Sequence, residues 1–209
     1  SLNFNRLEQA KLYISKASNY NKYFPPIIEL SCKLNIYKNQ RILIKTLSEY
    51  WKVFPHINIL ECLQNGMKCN DPKINLKSIE KIFSRNNDNY IKYLILGEVK
   101  LNGKVWGDAK KDFSKSIEIL PTKRAYEALI DIEKNTQGNP IELSKLERFL
   151  SKAKDNIKWS CIFCNSVQES YNIFCNNCKK FNSLVWKEKN DKKLYIQSEF
   201  SNNAFRLLG

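Results

Sequence analysis

The chain has 209 residues, 35 Lys and Arg against 21 Asp and Glu, and a formal net charge of +14. That length holds one good-sized domain, or a domain and a small module; the lack of any run of about 18 apolar residues excludes a membrane-spanning helix within it, and no signal-peptide pattern opens it. The excess of positive charge invites an anionic partner, but Lys far outnumbers Arg, the better reader of bases and phosphates, and the lysines are spread along helical faces, so a solvated surface is favoured. The chain begins at Ser1 without an initiator Met, so an upstream anchor or targeting segment is expected to be missing.

Residues 1–155 read as helices. Asn5–Ser18 places Leu7, Ala10, Ile14 and Ala17 on one face. Pro25 and Pro26 open a second helix, running to about Leu34, because proline is tolerated in a first turn. Asn39–Phe54 follows, with Ile42, Leu43, Leu47, Tyr50 and Trp51 as its apolar positions, and Pro55 stops it. His56–Gln64 is a shorter helix for which Gly66 supplies a left-handed cap. His56, the sole histidine, is assigned to a helix start or an interface. Lys77–Arg85 turns Ile79, Ile82 and Phe83 inward, and Asn86–Asp88 makes a loop. Next come a helix over Asp88–Leu101, a turn at Asn102–Lys104, and a helix from about Val105 to Leu120 that Pro121 ends. Thr122 is the expected N-cap of Lys123–Lys134, Thr136–Asn139 is a turn, and Pro140 starts a last helix to about Lys154.

These helices look paired. Tyr93, Leu96, Gly97, Ala109, Phe113, Ser116 and Pro121 fall at the spacings of the tetratricopeptide signature. The reason is packing: small Gly97 and Ala109 let two helices cross closely, and Phe113 fills the space beside them. Ala10, Ile14 and Ala17 repeat the second-helix part of that pattern, and helices 123–134 and 141–154 form one more pair. The surface carboxylates Glu127, Asp131 and Glu133 are read as solvated charge, and Trp51 and Trp106 as packing residues.

The last motif is the most specific: Cys161, Cys164, Cys175 and Cys178 in the pattern C-x2-C-x10-C-x2-C. Each pair brackets a tight turn, and two such turns supply four soft ligands in a tetrahedron, suited to zinc, with iron as the alternative. A closed four-thiolate site leaves no position for substrate, so the role is structural. Trp159, Phe163, Ile173, Phe174, Phe181, Leu184, Val185 and Trp186 predict a small β ribbon whose side chains wrap the sulfurs. Asn165 and Lys179 stand where each knuckle turns left-handed, a place that glycine commonly holds. Cys32, Cys62 and Cys69 suggest no disulfide framework, and reduced thiols fit a reducing compartment. Neither Cys-x2-Cys is followed by His, which excludes covalent haem attachment by that motif; no phosphate-cradling loop or nucleophile elbow occurs.

Taken in order, these residues resemble the soluble part of the HemY family of bacterial membrane-anchored tetratricopeptide proteins, in the alphaproteobacterial form that ends in a cysteine ribbon. The resemblance rests on Trp51…Pro55-His56, Gly97…Trp106-Gly107-Asp108-Ala109-Lys110, Arg124-Ala125-Tyr126…Leu129…Ile132-Glu133, Gly138-Asn139, and above all Trp159-Ser160-Cys161-Ile162-Phe163-Cys164 with Cys175…Cys178…Phe181-Asn182-Ser183-Leu184-Val185-Trp186. The architecture is also similar to the lipopolysaccharide-assembly adaptor with a rubredoxin-like tail. The resemblance implies an anchor in the inner membrane, a soluble domain on its cytoplasmic side, and a link to haem biosynthesis without enzymatic activity.

The expected fold is therefore an all-α, tetratricopeptide-like helical-hairpin solenoid over residues 1–155, a rubredoxin-like zinc ribbon over 156–188, and a polar tail over 189–209 in which Phe205, Leu207 and Leu208 dock back or meet a partner. The expected function is a scaffold or adaptor with no catalytic residues and no small-molecule substrate, holding a protein partner in the repeat groove. The alternatives are a nucleic-acid module using Lys179, Lys180, Phe181 and Trp186, and a redox or haem-handling protein.

Overall fold

The computed structural model describes residues 2–34, 40–66, 72–83 and 89–187. The chain is mostly helical and ends in a small sheet. It divides into two compact units that part after Lys154.

The first unit comprises helices α1 (Leu2–Tyr20), α2 (Pro25–Lys33), α3 (Gln40–Val53), α4 (Ile59–Gly66), α5 (Pro72–Glu80, continued by a 3-10 turn, Lys81–Phe83), α6 (Tyr90–Asn102), α7 (Trp106–Ile119), α8 (Lys123–Asn135) and α9 (Pro140–Leu150). From α5 onward packing follows chain order, α5 with α6, α6 with α7, α7 with α8 and α8 with α9; before that α1 meets α2, but α2 packs on α4 and α3 on the 3-10 turn at Lys81–Phe83. Contacts between sequence neighbours are what a stack of hairpins makes.

The α6–α7 hairpin shows why the signature residues sit where they do. A Cβ on Gly97 would lie 2.8 Å from the Phe113 ring, and Phe113 and Ala109 are fully buried. Gly97 is thus small for reasons of space, not of backbone freedom. Ser116, also buried, donates its hydroxyl to the Tyr90 carbonyl at 3.0 Å and ties the hairpin's far ends. Ion pairs then cross between helices: Lys100 to Asp112 at 2.5 Å, Arg124 to Glu98 at 2.8 Å, and Lys110 to Glu133. Ala109, Phe113, Ala125, Tyr126, Leu129, Ile132 and Leu146 form one continuous core across α7, α8 and α9. The segment after α9 turns back: Lys154 N–H donates to the Pro121 carbonyl and Lys123 N–H to the Lys154 carbonyl, both at 2.9 Å.

Several expectations change. Glu133 is buried rather than solvated, because Lys110 covers it and Gly138 leaves room for its carboxylate, which a Cβ there would strike. Thr122 holds the N-cap position of α8, but its hydroxyl makes no capping bond. Gly66 ends α4 within the helix, and among the described residues no glycine has positive φ; in the turn after α6 that conformation falls on Lys104. Leu7, on the apolar face of the first helix, and Ile42, an apolar position of α3, are exposed. The Asn86–Asp88 loop, Cys69 and the tail from residue 188 lie outside the described residues.

His56 is the larger surprise. It precedes α4 in the core, its Nδ1 accepting the Asn58 N–H at 3.0 Å and its ring 5.2 Å from that of Phe54. Asn58 is a hub: it accepts from the Tyr50 hydroxyl at 3.0 Å and donates to the Pro25 carbonyl at 3.2 Å, joining α2, α3 and α4. Burial pushes the imidazole down to about 3, against the smaller pull of its hydrogen bond with Asn58. Cys32 on α2 and Cys62 on α4 are buried free thiols in hydrogen-bonding contact; that bond, then burial, raises Cys62 far above an ordinary thiol and makes it unreactive.

Two outcomes follow from this packing. Gly97→Val should lower unfolding free energy by roughly 1–3 kcal/mol, since the added methyls meet a ring that is itself immobile; urea unfolding at neutral pH measures it. The folded imidazole refuses a proton that the unfolded one takes near pH 6.5, so stability is intact above that pH and falls as pH drops toward 3. The loss from this group is about 1.4 kcal/mol per pH unit, and His56→Gln should lack that part of the slope in urea titrations at pH 7 and pH 5.5.

Candidate metal centre

Strands β1 (Lys158–Cys161), β2 (Val167–Gln168) and β3 (Leu184–Lys187) form one antiparallel sheet in the order β2-β1-β3. Register sets Trp159 opposite Trp186 and Gln168, and Cys161 opposite Leu184. Trp159 and Leu184 are buried, with the rings of Tyr171 and Trp186 meeting Trp159 edge-on at 5.1 and 5.5 Å.

The two knuckles are built alike. In the first, Cys161 N–H donates to the Ser166 carbonyl at 2.9 Å and Asn165 N–H to the Cys161 carbonyl at 3.0 Å; in the second, Cys175 N–H donates to the Lys180 carbonyl and Lys179 N–H to the Cys175 carbonyl, both at 3.0 Å. The fifth residue of each, Asn165 at φ 55° and Lys179 at φ 57°, takes the left-handed conformation expected there. For Lys179 this costs roughly 1–2 kcal/mol, a cost the rest of the ribbon offsets. The same turn aims amides at sulfur: Phe163 N–H at Cys161 Sγ, 3.4 Å, and the amides of Ser166, Asn177 and Lys180 at Cys164, Cys175 and Cys178.

All four sulfurs lie within 4.8 Å of one another, Cys161 to Cys178 at 3.5 Å and Cys164 to Cys175 at 3.7 Å. Four sulfurs at 2.3 Å from a zinc ion would stand about 3.8 Å apart in a tetrahedron, so donor type, number and spacing fit that ion; tetrahedral thiolate sites hold iron as well. Hydrogen bonds from the Ser166 hydroxyl and backbone bring Cys164 down to about 5, and Ser166 likewise lowers Cys175. The Lys180 amide pulls Cys178 down, yet burial and its bonds to the other three sulfurs outweigh that and push it up to about 12. Holding all four as thiolates would take a cation among them. Ser166, Gln168 and Ser183, within 3.2–3.4 Å of sulfurs, escaped the sequence reading because nothing but the fold brings them there.

The wrapping expected of the aromatics divides in two. Trp159, Leu184 and Val185 are buried, whereas Phe163, Ile173, Phe174 and Phe181 are exposed; the knuckles put these at their tips, outside the sheet. Trp186 belongs to the inner cluster.

No family model matches the chain, and no curated protein matches it. Solved structures similar to it include the "MamA RS-1 ArsTM double mutant" (14% identity, TM-score 0.45, covering 72% of this chain and 86% of that one). They also include a crystal structure of MamA protein (14%, 0.45, 72% and 84%) and MamA 41-end from Desulfovibrio magneticus RS-1 (14%, 0.42, 72% and 85%).

With zinc supplied, the protein should hold one ion per chain by elemental analysis. Cys175→Ser should abolish tight retention and unfold the ribbon, read as loss of near-ultraviolet dichroism from Trp159 and Trp186. Unchanged stoichiometry in that variant would contradict a four-cysteine site.

Proposed function

We propose that the protein is a non-enzymatic adaptor, in which a tetratricopeptide-type hairpin stack holds a segment of a protein partner and Cys161, Cys164, Cys175 and Cys178 clasp a structural zinc. The observation that carries this is the α6–α7 hairpin, where Gly97 meets Phe113 and Ala109 is sealed in the crossing at the positions that the repeat signature specifies. A stack of this kind presents the first helix of each hairpin on its concave side. Here those are α6 and α8.

Two features favour the adaptor over the haem-handling alternative. Four thiolates surround a single point and leave no open ligand position, and the one imidazole is buried and neutral at physiological pH. The resemblance to the HemY family supports placing this adaptor at the inner membrane on the cytoplasmic side, attached through an upstream segment and serving haem biosynthesis. Its best-matching stretch, from Trp159 to Trp186, is the metal ribbon itself.

The test uses membrane extract from the protein's own cells. The immobilised full chain should retain a discrete set of proteins, and Glu127→Lys with Asp131→Lys, exposed changes on α8, should abolish retention while Glu118→Lys on α7 leaves it intact. Equal retention by all three proteins would refute groove binding.

A further inference from the structure

The C-terminal unit places large apolar side chains outside its core. Phe163, Phe174 and Phe181 are 62%, 56% and 68% exposed, and Ile162 and Ile173 flank them in the open. The rings are linked into a strip by the Phe174–Phe181 contact and, toward Phe163, by Lys180. Phe174 and Phe181 face each other across a backbone bridge with ring centroids 5.6 Å apart, and Lys180 Nζ lies 5.8 Å from the Phe163 ring. Asn182 N–H, bonded to the Ile173 carbonyl at 2.7 Å, holds the second tip in register with the strip. Contiguous exposed apolar side chains of this size mark an interaction surface.

Charge selects the partner. Lys179 and Lys180 are exposed within the strip. Asp155 and Glu169 are the two carboxylates between residues 155 and 187, and Glu169 is paired with Lys158. A docking partner therefore meets phenyl rings and ammonium groups together. We propose that the knuckle tips bind an acidic, amphipathic peptide segment of a protein partner, its apolar side chains on Phe163, Phe174 and Phe181 and its carboxylates on Lys179 and Lys180. This rests on the adaptor reading and adds a second contact to it.

Two other anionic partners fit less well. Single-stranded nucleic acid stacks on flat ring faces and favours arginine; here Phe174 and Phe181 stand 60° apart, Ile162 and Ile173 have no ring face, and residues 155–187 contain no arginine. A lipid surface would bury the exposed amides of Asn165 and Asn176, interspersed among the rings, away from water. A peptide backbone supplies them with hydrogen-bond partners.

The experiment takes the zinc-loaded full chain and follows fluorescence anisotropy. Its probes are a short helical peptide with Leu and Phe on one face and Glu on the other, the same peptide with Lys for every Glu, oligouridylate, and phosphatidylglycerol vesicles. The acidic peptide should bind and its basic counterpart should not. Phe163→Ser with Phe181→Ser should weaken binding at least about tenfold, and so should Lys179→Asn with Lys180→Glu, a pair that leaves every ring in place; zinc content confirms that each variant keeps its fold. Absence of acidic-peptide binding, or binding that both variants retain, overturns the proposal. So does binding of oligouridylate or vesicles, in place of the peptide, that the variants abolish. Capture through α8 is measured separately, so either contact can fail without the other.

Discussion

The thiolate cluster is the constraint on which the C-terminal unit depends. Its buried hydrophobic cluster consists of Trp159, Cys161, Cys175 and Leu184, so half of it is cysteine. A unit of this size cannot bury enough surface to offset chain entropy, and small modules of this kind rely on a metal or disulfides. The sheet is too short to help: β2 has two residues. What the backbone does supply is orientation. Each knuckle repeats one set of bonds, cysteine amide to sixth-residue carbonyl and fifth-residue amide to cysteine carbonyl, and each lends backbone amides to its two sulfurs. Donors around the thiolates tune a metal site as much as the ligands do.

The helical unit is governed by a different rule, in which each helix is stabilised by its neighbours in sequence. The ion pairs Lys100–Asp112, Glu98–Arg124 and Lys110–Glu133 all cross between adjacent or next-adjacent helices. Glu133 is the most buried of these carboxylates, and Lys110 is the cation paired with it among the described residues. Removing Lys110 would leave an uncompensated buried charge, which costs far more than a surface pair is worth. The Asn58 hub plays the comparable part in the first half of the unit, satisfying buried polar groups where α2, α3 and α4 converge.

How much was legible in the sequence depends on how local each signal is. Gly97, Ala109, Phe113 and Ser116 could be placed because helix crossings demand size at fixed spacing, and the spacing survives without the rest of the fold. The cysteines could be grouped because a knuckle is four residues long. Glu133 and His56 could not be placed, since their burial comes from Lys110, Gly138, Asn58 and Phe54 at positions that no period predicts. Ile42 and Leu7 failed for the converse reason: an apolar residue on the right face is buried only if another element covers it. Thr122 was placed correctly at the N-cap of α8, but its hydroxyl makes no capping bond, and backbone pairing with Lys154 holds that end instead.

The same distinction bears on the exposed phenylalanines. Sequence density alone would assign Phe163, Phe174 and Phe181 to the interior, where a small module most needs apolar mass. The fold spends that interior on sulfur and one tryptophan, and each knuckle turn carries its aromatic outward next to a lysine. Turning these rings inward would need the left-handed residues Asn165 and Lys179 to abandon the conformation that aims the amides at sulfur. Sulfur geometry and surface are therefore set by one backbone: the turn that gathers the cysteines also displays the strip. If the four cysteines hold the proposed metal, a partner that docks on the tips reads the folded, metal-bound form.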